Sequence, residues 1–117
     1  MDSGPFFLWD KVTAIALGWP AVYEKLCFGT PALYVEKKFF VRLKEDNHTV
    51  VVYHHDRDEL IASNPDVFFT TDHYKNYPSV LIDLERVCKN ELKALLANAW
   101  RIRASKKLLE QDKDHLP

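Results

Sequence analysis

The sequence predicts an α+β domain: a two-layer α/β sandwich with an antiparallel sheet and helices at the N-terminus, in the middle and at the C-terminus. Three observations predict it. Apolar and polar residues alternate over 39–44, as in a strand with one buried face. The run TVVVY over Thr49–Tyr53 is rich in β-branched residues, which is typical of a central strand. An apolar stripe at helical spacing begins near Asn90, and the short connections favour hairpins and therefore antiparallel pairing.

The other predicted elements follow from local signals. Ser3 and Pro5 favour a helix start, and Gly18 favours the end of that helix. Asp56 followed by Glu59 has the form of a capping box and predicts a short second helix. Further strands are predicted over 22–28, 32–35, 67–70 and 80–84, with a turn at 29–31.

The composition is that of one folded domain. Apolar residues make up 47% of the 117 residues, which excludes a disordered chain and allows one buried core. We expect a single domain over 1–107 and a frayed tail over 108–117. No apolar run reaches the ~18 residues of a membrane span, and the N-terminus lacks the basic-then-apolar order of a secretory leader. We therefore expect a cytoplasmic protein with no membrane partner, in which Cys27 and Cys88 stay reduced.

Charge is distributed unevenly along the chain. The segment 86–107 has a net charge of +6, so the remaining residues sum to −7 within a total of −1. Its seven cations stand against one acid, Glu91; they are Arg86, Lys89, Lys93, Arg101, Arg103, Lys106 and Lys107. Such a cationic segment favours binding to phosphate or to an acidic protein surface.

The positions of these cations on the last helix are informative. At 100° per residue the apolar stripe consists of Leu92, Leu95, Leu96, Ala99 and Ile102. Lys93 flanks this stripe and Arg101 faces solvent, whereas Arg103 and Lys106 return to the apolar side. Charges there would be costly against a sheet, so either the helix ends near residue 104 or it extends past the sheet edge. A simpler explanation is that cations near a helix C-terminus only compensate the helix dipole.

Several fragments, read together, carry a family resemblance. They occur in this order: EKLCFGTPAL over 24–33, KFFVRL over Lys38–Leu43, NPDVFF over 64–69, His73-Tyr74 with Tyr77-Pro78, and AWR over 99–101 with Ala104 and Lys106. Over nearly the whole chain up to Lys107, this pattern resembles the MmcQ/YjbR family of small bacterial proteins. The resemblance implies an antiparallel α/β fold called a double wing, also seen in secretion-chaperone-like domains, and a DNA-binding role.

A non-enzymatic DNA-binding domain is the first functional hypothesis. Weak, phosphate-mediated binding requires several Lys or Arg side chains on one surface. The basic C-terminal helix would supply Lys93, Arg101, Arg103, Lys106 and Lys107. A hairpin would add a second contact through Lys37, Lys38 and Arg42.

Two alternatives remain open. The loop over 70–78 contains His73, Tyr74 and Tyr77, which would either line a pocket for a small ligand or pack over the sheet edge. A chaperone-like protein-interaction module would instead use an exposed sheet face around Phe40 and Tyr53.

We expect no metal, no cofactor and no enzymatic activity. His54 and His55 are adjacent at a strand end, so their side chains point to opposite faces and do not share an ion. The sequence contains no G-x-S-x-G, no phosphate-binding glycine loop and no H-E-x-x-H.

Overall fold

Six antiparallel strands form one sheet in the computed structural model, which describes residues 6–114 and 116–117. The strands are β1 (Val22–Cys27), β2 (Thr30–Val35), β3 (Lys38–Leu43), β4 (Thr49–Tyr53), β5 (Phe68–Phe69) and β6 (Ser79–Asp83). Their order in the sheet is β1-β2-β3-β4-β6-β5, and every neighbouring pair is antiparallel. The helices are α1 (Asp10–Ala16), α2 (Arg57–Ser63), α3 (Lys89–Arg103) and α4 (Lys106–Gln111). The predicted fold class is confirmed.

Helices α1 and α3 cover one face of the sheet. The predicted stripe of α3 is buried there, with Ile102 half-buried at its end. Fully buried Trp100 donates a hydrogen bond from its indole N–H to the backbone oxygen of Pro20, at 3.0 Å. The strand residues opposite these helices form the core; they include Leu33, Val35, Phe40, Leu43, Val50, Val52, Val80 and Ile82. Burial of these side chains supplies the main stabilisation of the two-layer arrangement.

An irregularity between β2 and β3 changes the predicted alternation. The register shifts between Leu33 and Tyr34, which places an extra residue on β3. As a result, Phe40 is fully buried in the core, whereas Phe39 lies on the opposite face beside Tyr34. Strict alternation over 39–44 would instead place Phe39 in the core and Phe40 on the other face. The prediction that Phe40 belongs to an exposed protein-binding face is therefore wrong, because its ring is buried against the helices.

The hairpin between β1 and β2 is tighter than predicted. Its two turn residues are Phe28 and Gly29, with φ values of 54° and 84°, so Thr30 and Pro31 already belong to β2. Two-residue hairpins need positive φ values because that backbone twist matches the flanking strands. Gly29 adopts such a value without strain, whereas for a bulky residue such as Phe28 it is unusual.

The helix starts also differ in detail from prediction. The first turn is a 3-10 helix over Phe7–Trp9 that leads into α1, while Ser3 and Pro5 lie outside the described residues. Asp56 precedes α2 as predicted, but its side chain makes no capping hydrogen bond. Among the described helices the longest has 15 residues, and none combines the length and apolarity needed to cross a bilayer.

The chain beyond α3 is ordered into a further helix. Helix α3 ends at Arg103, close to the end predicted near residue 104, and Ala104 is extended. Ser105 then caps α4 by accepting a hydrogen bond at its side chain from the Leu108 N–H, at 3.1 Å. Leu108 is only 8% exposed and packs in the core. The prediction of a frayed tail from residue 108 is therefore wrong for α4, because Leu108 anchors it.

Truncation of this anchor tests the role of α4. We expect Leu108→Ala to lower the free energy of unfolding by about 2 kcal/mol or more, because it removes a buried side chain from the core. Glu110→Ala, on an exposed position of the same helix, is the matched control and should stay within about 0.5 kcal/mol of the wild type. Urea denaturation measures both values. Equal effects of the two substitutions would mean that α4 does not pack on the core.

Candidate nucleic-acid interface

A clasp joins the turn between β2 and β3 to the junction between α3 and α4. Glu36 occupies the turn, with a φ of 58°. Its carboxylate accepts hydrogen bonds from the Ser105 N–H at 2.8 Å and from the Ser105 hydroxyl at 3.0 Å. The backbone N–H of Glu36 donates to Ala21 O at 3.0 Å. Two parts of the chain separated by 69 positions are thereby held together.

Cations gather around this clasp. Lys37 and Lys38 are exposed, and together with Arg103 and Ser105 they line a groove of about 260 Å³. Lys106 and Lys107 follow Ser105 directly and are exposed on the first turn of α4. We call this set the basic end; it comprises Lys37, Lys38, Arg103, Lys106 and Lys107. The fold thus unites side chains that the sequence suggested as two separate contacts.

Arg103 is partly fixed by its surroundings. Its Nε donates to the backbone oxygen of Phe39 at 2.9 Å, and its guanidinium carbon lies 4.1 Å from the centre of the Tyr53 ring. Stacking on an aromatic ring stabilises a guanidinium group without using its N–H donors. Both terminal nitrogens of Arg103 therefore keep their donors, since within the described chain only its Nε makes a hydrogen bond.

Two other predicted cations lie outside the basic end. Arg101 donates from Nε and Nη2 to the backbone oxygen of Pro117, at 3.1 and 2.9 Å. Lys93 is exposed about 15 Å further back along the axis of α3 than Arg103. The predicted strip of five C-terminal cations is thus divided by the fold.

Arg42 does not lie on a phosphate-accessible surface. It is 8% exposed, and its guanidinium donates to the Thr30 hydroxyl, to Leu43 O, to the Glu45 carboxylate and to the Tyr74 hydroxyl. Burial alone would lower the pKa of Arg42, but the hydrogen bonds to Tyr74 and Glu45 outweigh it and raise that pKa. The expectation that Arg42 contacts phosphate is therefore corrected: the side chain is occupied in linking strands to the 70–78 loop.

The three aromatic loop residues do come together, on the sheet face that the helices leave open. The rings of His73 and Tyr74 are 4.6 Å apart, and Tyr77 lies 6.1 Å from each. With strand and hairpin residues they line a pocket of about 320 Å³. The other lining residues are Phe28, Phe39, Arg42, Val51, Tyr53 and Ser79.

Arg57 holds the loop in this position, a role that the sequence did not reveal. Its Nη1 donates to Tyr74 O and to Tyr77 O, both at 2.8 Å, and its Nη2 donates to Lys75 O. In the sequence, Arg57 directly follows the predicted helix cap Asp56 and looks like any surface cation, because its loop partners lie 17 to 20 positions away. The one sequence signal for such an anchor is that the backbone carbonyls of a polar loop require hydrogen-bond donors.

His54, one of the two adjacent histidines, makes a local hydrogen bond. The Nδ1 of His54 accepts from the Asp56 N–H at 3.0 Å, and burial lowers the pKa of His54. A different trio in the described chain, His48, Asp83 and Glu85, brings potential ligand atoms within 4.8 Å of one another. Two of its members already face other side chains: the Asp46 Oδ2 lies 3.7 Å from the His48 Nε2, and Arg86 forms an ion pair with Asp83 at 3.7 Å.

Comparison with known proteins identifies the family. The YjbR family model matches residues 17–102, which is most of the chain and includes all six strands. The chain belongs to the YjbR family. This confirms the resemblance seen in the sequence.

Relatives of this YjbR-family chain support the fold. Over 51 residues it is 41% identical to uncharacterized proteins of Mycobacterium tuberculosis and Mycobacterium bovis. That match covers 44% of this chain and 40% of the length of each relative. The crystal structure of Deinococcus radiodurans protein DR2400, with a DUF419 domain, is similar with a TM-score of 0.72 at 16% identity. It covers 94% of this chain and 91% of the other, so the likeness extends over the whole fold.

The link between Arg42 and the loop can be tested with one hydroxyl. We expect Tyr74→Phe to lower the free energy of unfolding by about 1–2 kcal/mol, because the buried guanidinium loses an acceptor at 3.0 Å. Tyr77→Phe removes the same hydroxyl from an exposed ring and should change stability by less than about 0.5 kcal/mol. Thermal unfolding followed by circular dichroism compares the two. A Tyr77 effect as large as that of Tyr74 would contradict this account of Arg42.

Proposed function

We propose that this YjbR-family protein binds DNA weakly, through contacts between the basic end and backbone phosphates, and that it catalyses no reaction. The observation that carries the proposal is the joining of two exposed lysine pairs, one from a hairpin turn and one from α4, around the Glu36–Ser105 clasp. Phosphate affinity depends on the number of cations that one surface presents together. The proposal includes a cytoplasmic location, which rests on the two free cysteines.

The helix dipole does not account for the lysines of α4. Lys106 and Lys107 lie in its first turn, where the partial positive charge of the backbone disfavours cations. Arg101 and Arg103, by contrast, lie in the last turn of α3 and do compensate that helix. The two lysines therefore oppose local stability, and an anionic partner supplies a reason for their presence.

Carboxylates do not neutralise the basic end. The ion pairs of the described chain that involve arginine join Arg42 to Glu45, Arg57 to Asp58 and Arg86 to Asp83, all outside it. Glu36 lies at the centre of the clasp and keeps its negative charge, so the five cations of the basic end together with this one acid carry +4. The negative charge elsewhere on the chain keeps non-specific attraction low, which is consistent with weak binding that one end directs.

A protein-interaction role is the second candidate, favoured by the tip of the β1–β2 hairpin. Leu26 and Phe28 are 64% and 88% exposed there, at the edge of the sheet. Exposed apolar side chains at an edge strand fit a protein partner better than a phosphate. Such binding would change little with salt, whereas phosphate binding weakens steeply.

Removing lysine pairs tests the DNA proposal. With three to five phosphate contacts, affinity for a short duplex should fall on the order of 50-fold or more between about 50 and 200 mM salt. The pair Lys37→Gln/Lys38→Gln and the pair Lys106→Gln/Lys107→Gln should each weaken binding and reduce the logarithmic salt slope by about one to two. Fluorescence anisotropy with labelled DNA measures affinity and slope.

The matched control removes equal charge elsewhere. Lys89→Gln/Lys93→Gln changes two exposed lysines in the first half of α3, away from the basic end, and should leave the slope nearly unchanged. If this control weakens binding as much as the other pairs do, the contacts are spread over the surface. If the wild type does not bind at low salt, the proposal fails.

A further inference from the structure

A row of aromatic rings crosses the open face of the sheet. Four neighbouring strands contribute Tyr23, Tyr34, Phe39 and Tyr53 in turn. The Tyr23 and Tyr34 rings are stacked at 5.5 Å, and the next two pairs meet edge-on at 6.2 and 5.7 Å. Tyr23 is 43% exposed and the other three are half-buried. The helices cover the opposite face, so these rings remain accessible on this one.

Cations border the aromatic row. The Lys25 Nζ lies 5.8 Å from the centre of the Tyr34 ring, and the Arg103 guanidinium lies over Tyr53. The Phe39 backbone oxygen holds Arg103, which also lines the groove of the basic end. The row and the basic end therefore meet at Arg103.

Three acids near this face have hydrogen-bond partners of their own. Glu24 accepts a hydrogen bond from the indole N–H of Trp9 at 2.7 Å, on the side of the helices. Glu45 accepts from Arg42, and Glu36 accepts from Ser105. Glu24 points to the other face and Glu45 is paired with Arg42, so the charges placed over the rings themselves are those of Lys25 and Arg103. They complement a partner with aromatic groups on a polyanionic chain.

The 320 Å³ pocket lies at the Tyr53 end of the row and has features of a ligand site. Ser79, which lines it, is 3% exposed, and its hydroxyl has no hydrogen-bond partner among the described residues. A buried hydroxyl without a partner costs free energy, and a ligand with a polar edge would satisfy it. Phe28 adds an 88% exposed ring, held in a left-handed backbone conformation that such a residue rarely adopts.

We propose that the open sheet face binds single-stranded nucleic acid, with unpaired bases stacked on the aromatic row and one base in the pocket. This inference rests on the proposed function, since the phosphates would run along the basic end. Sheet-borne aromatic rings stack unpaired bases because every base presents a π-face. In a duplex those faces are already stacked on one another, so the row discriminates against duplex DNA.

The test compares single-stranded and duplex DNA on wild-type and variant proteins. The probe is a labelled thymidine oligonucleotide of about 12 nucleotides, with the matched duplex, at about 50 and 200 mM salt. Tyr23→Leu and Tyr53→Leu should each weaken single-strand binding by about 5-fold to 100-fold. Tyr23→Leu should leave the salt slope unchanged, whereas Tyr53→Leu also removes the ring on which Arg103 stacks. Phe7→Leu changes an exposed ring outside the sheet, is the matched control and should have no effect.

The outcomes separate this inference from the proposed function. The inference is supported if the wild type binds single-stranded DNA more tightly than the duplex and the two tyrosine variants lose this difference. Equal binding of both forms, weakened by the lysine pairs but not by the tyrosine variants, overturns it and leaves the phosphate proposal intact. Absence of binding to either form overturns both proposals. If Tyr53→Leu unfolds, Tyr23→Leu remains decisive, and ring-proton NMR shifts of the wild type with added oligonucleotide report stacking directly.

Discussion

Burial of the α3 stripe against β3 and β4 is the constraint on which the rest of the structure depends. Because α1 and α3 both lie on one face, they leave the opposite face open, and the 70–78 loop packs over part of it. The same packing fixes where α3 ends, and this brings Arg103 and Ser105 to the turn between β2 and β3. Both proposed binding features, the basic end and the aromatic row, are therefore consequences of how one helix is seated.

The irregularity in β3 determines what the open face presents. Without the extra residue, strict alternation would direct Phe39 into the core and Phe40 outwards. The register shift instead buries Phe40 and leaves Phe39 between Tyr34 and Tyr53. Such irregularities often reorient a side chain near a functional surface. Here the shift completes the aromatic row and places the carbonyl oxygen that holds Arg103.

Several features of this surface are unfavourable for stability alone. Lys106 and Lys107 oppose the dipole of α4, Phe28 has a positive φ, and the Ser79 hydroxyl is buried without a partner. Each cost is small beside the burial of the core, so the fold tolerates them. All three lie on the basic end or around the open-face pocket, and local costs concentrated in this way are typical of functional sites.

The sequence by itself determined the layer architecture and most of the secondary structure, with helix α4 as the main omission. The β-branched run at Thr49–Tyr53 and the stripe from Leu92 to Ile102 carry their periodicity locally, so no distant contact is needed to interpret them. It also located the loop aromatics His73, Tyr74 and Tyr77 and the division of charge along the chain. These properties depend on residues close together in the sequence.

Tertiary structure alone decided which of these residues meet. The sequence predicted that Arg42 is an exposed cation of a hairpin. In the structure it is buried, because it donates hydrogen bonds to Thr30 and to Tyr74, which is 32 positions away. The sequence predicted that Leu108 belongs to a frayed tail. In the structure its side chain packs in the core beyond the end of α3. Glu36 and Ser105 meet across 69 positions. Periodicity in the sequence shows which face of a helix or strand is apolar. Which faces and turns then contact one another depends on strand register and core packing, and these are set by residues far apart in the sequence.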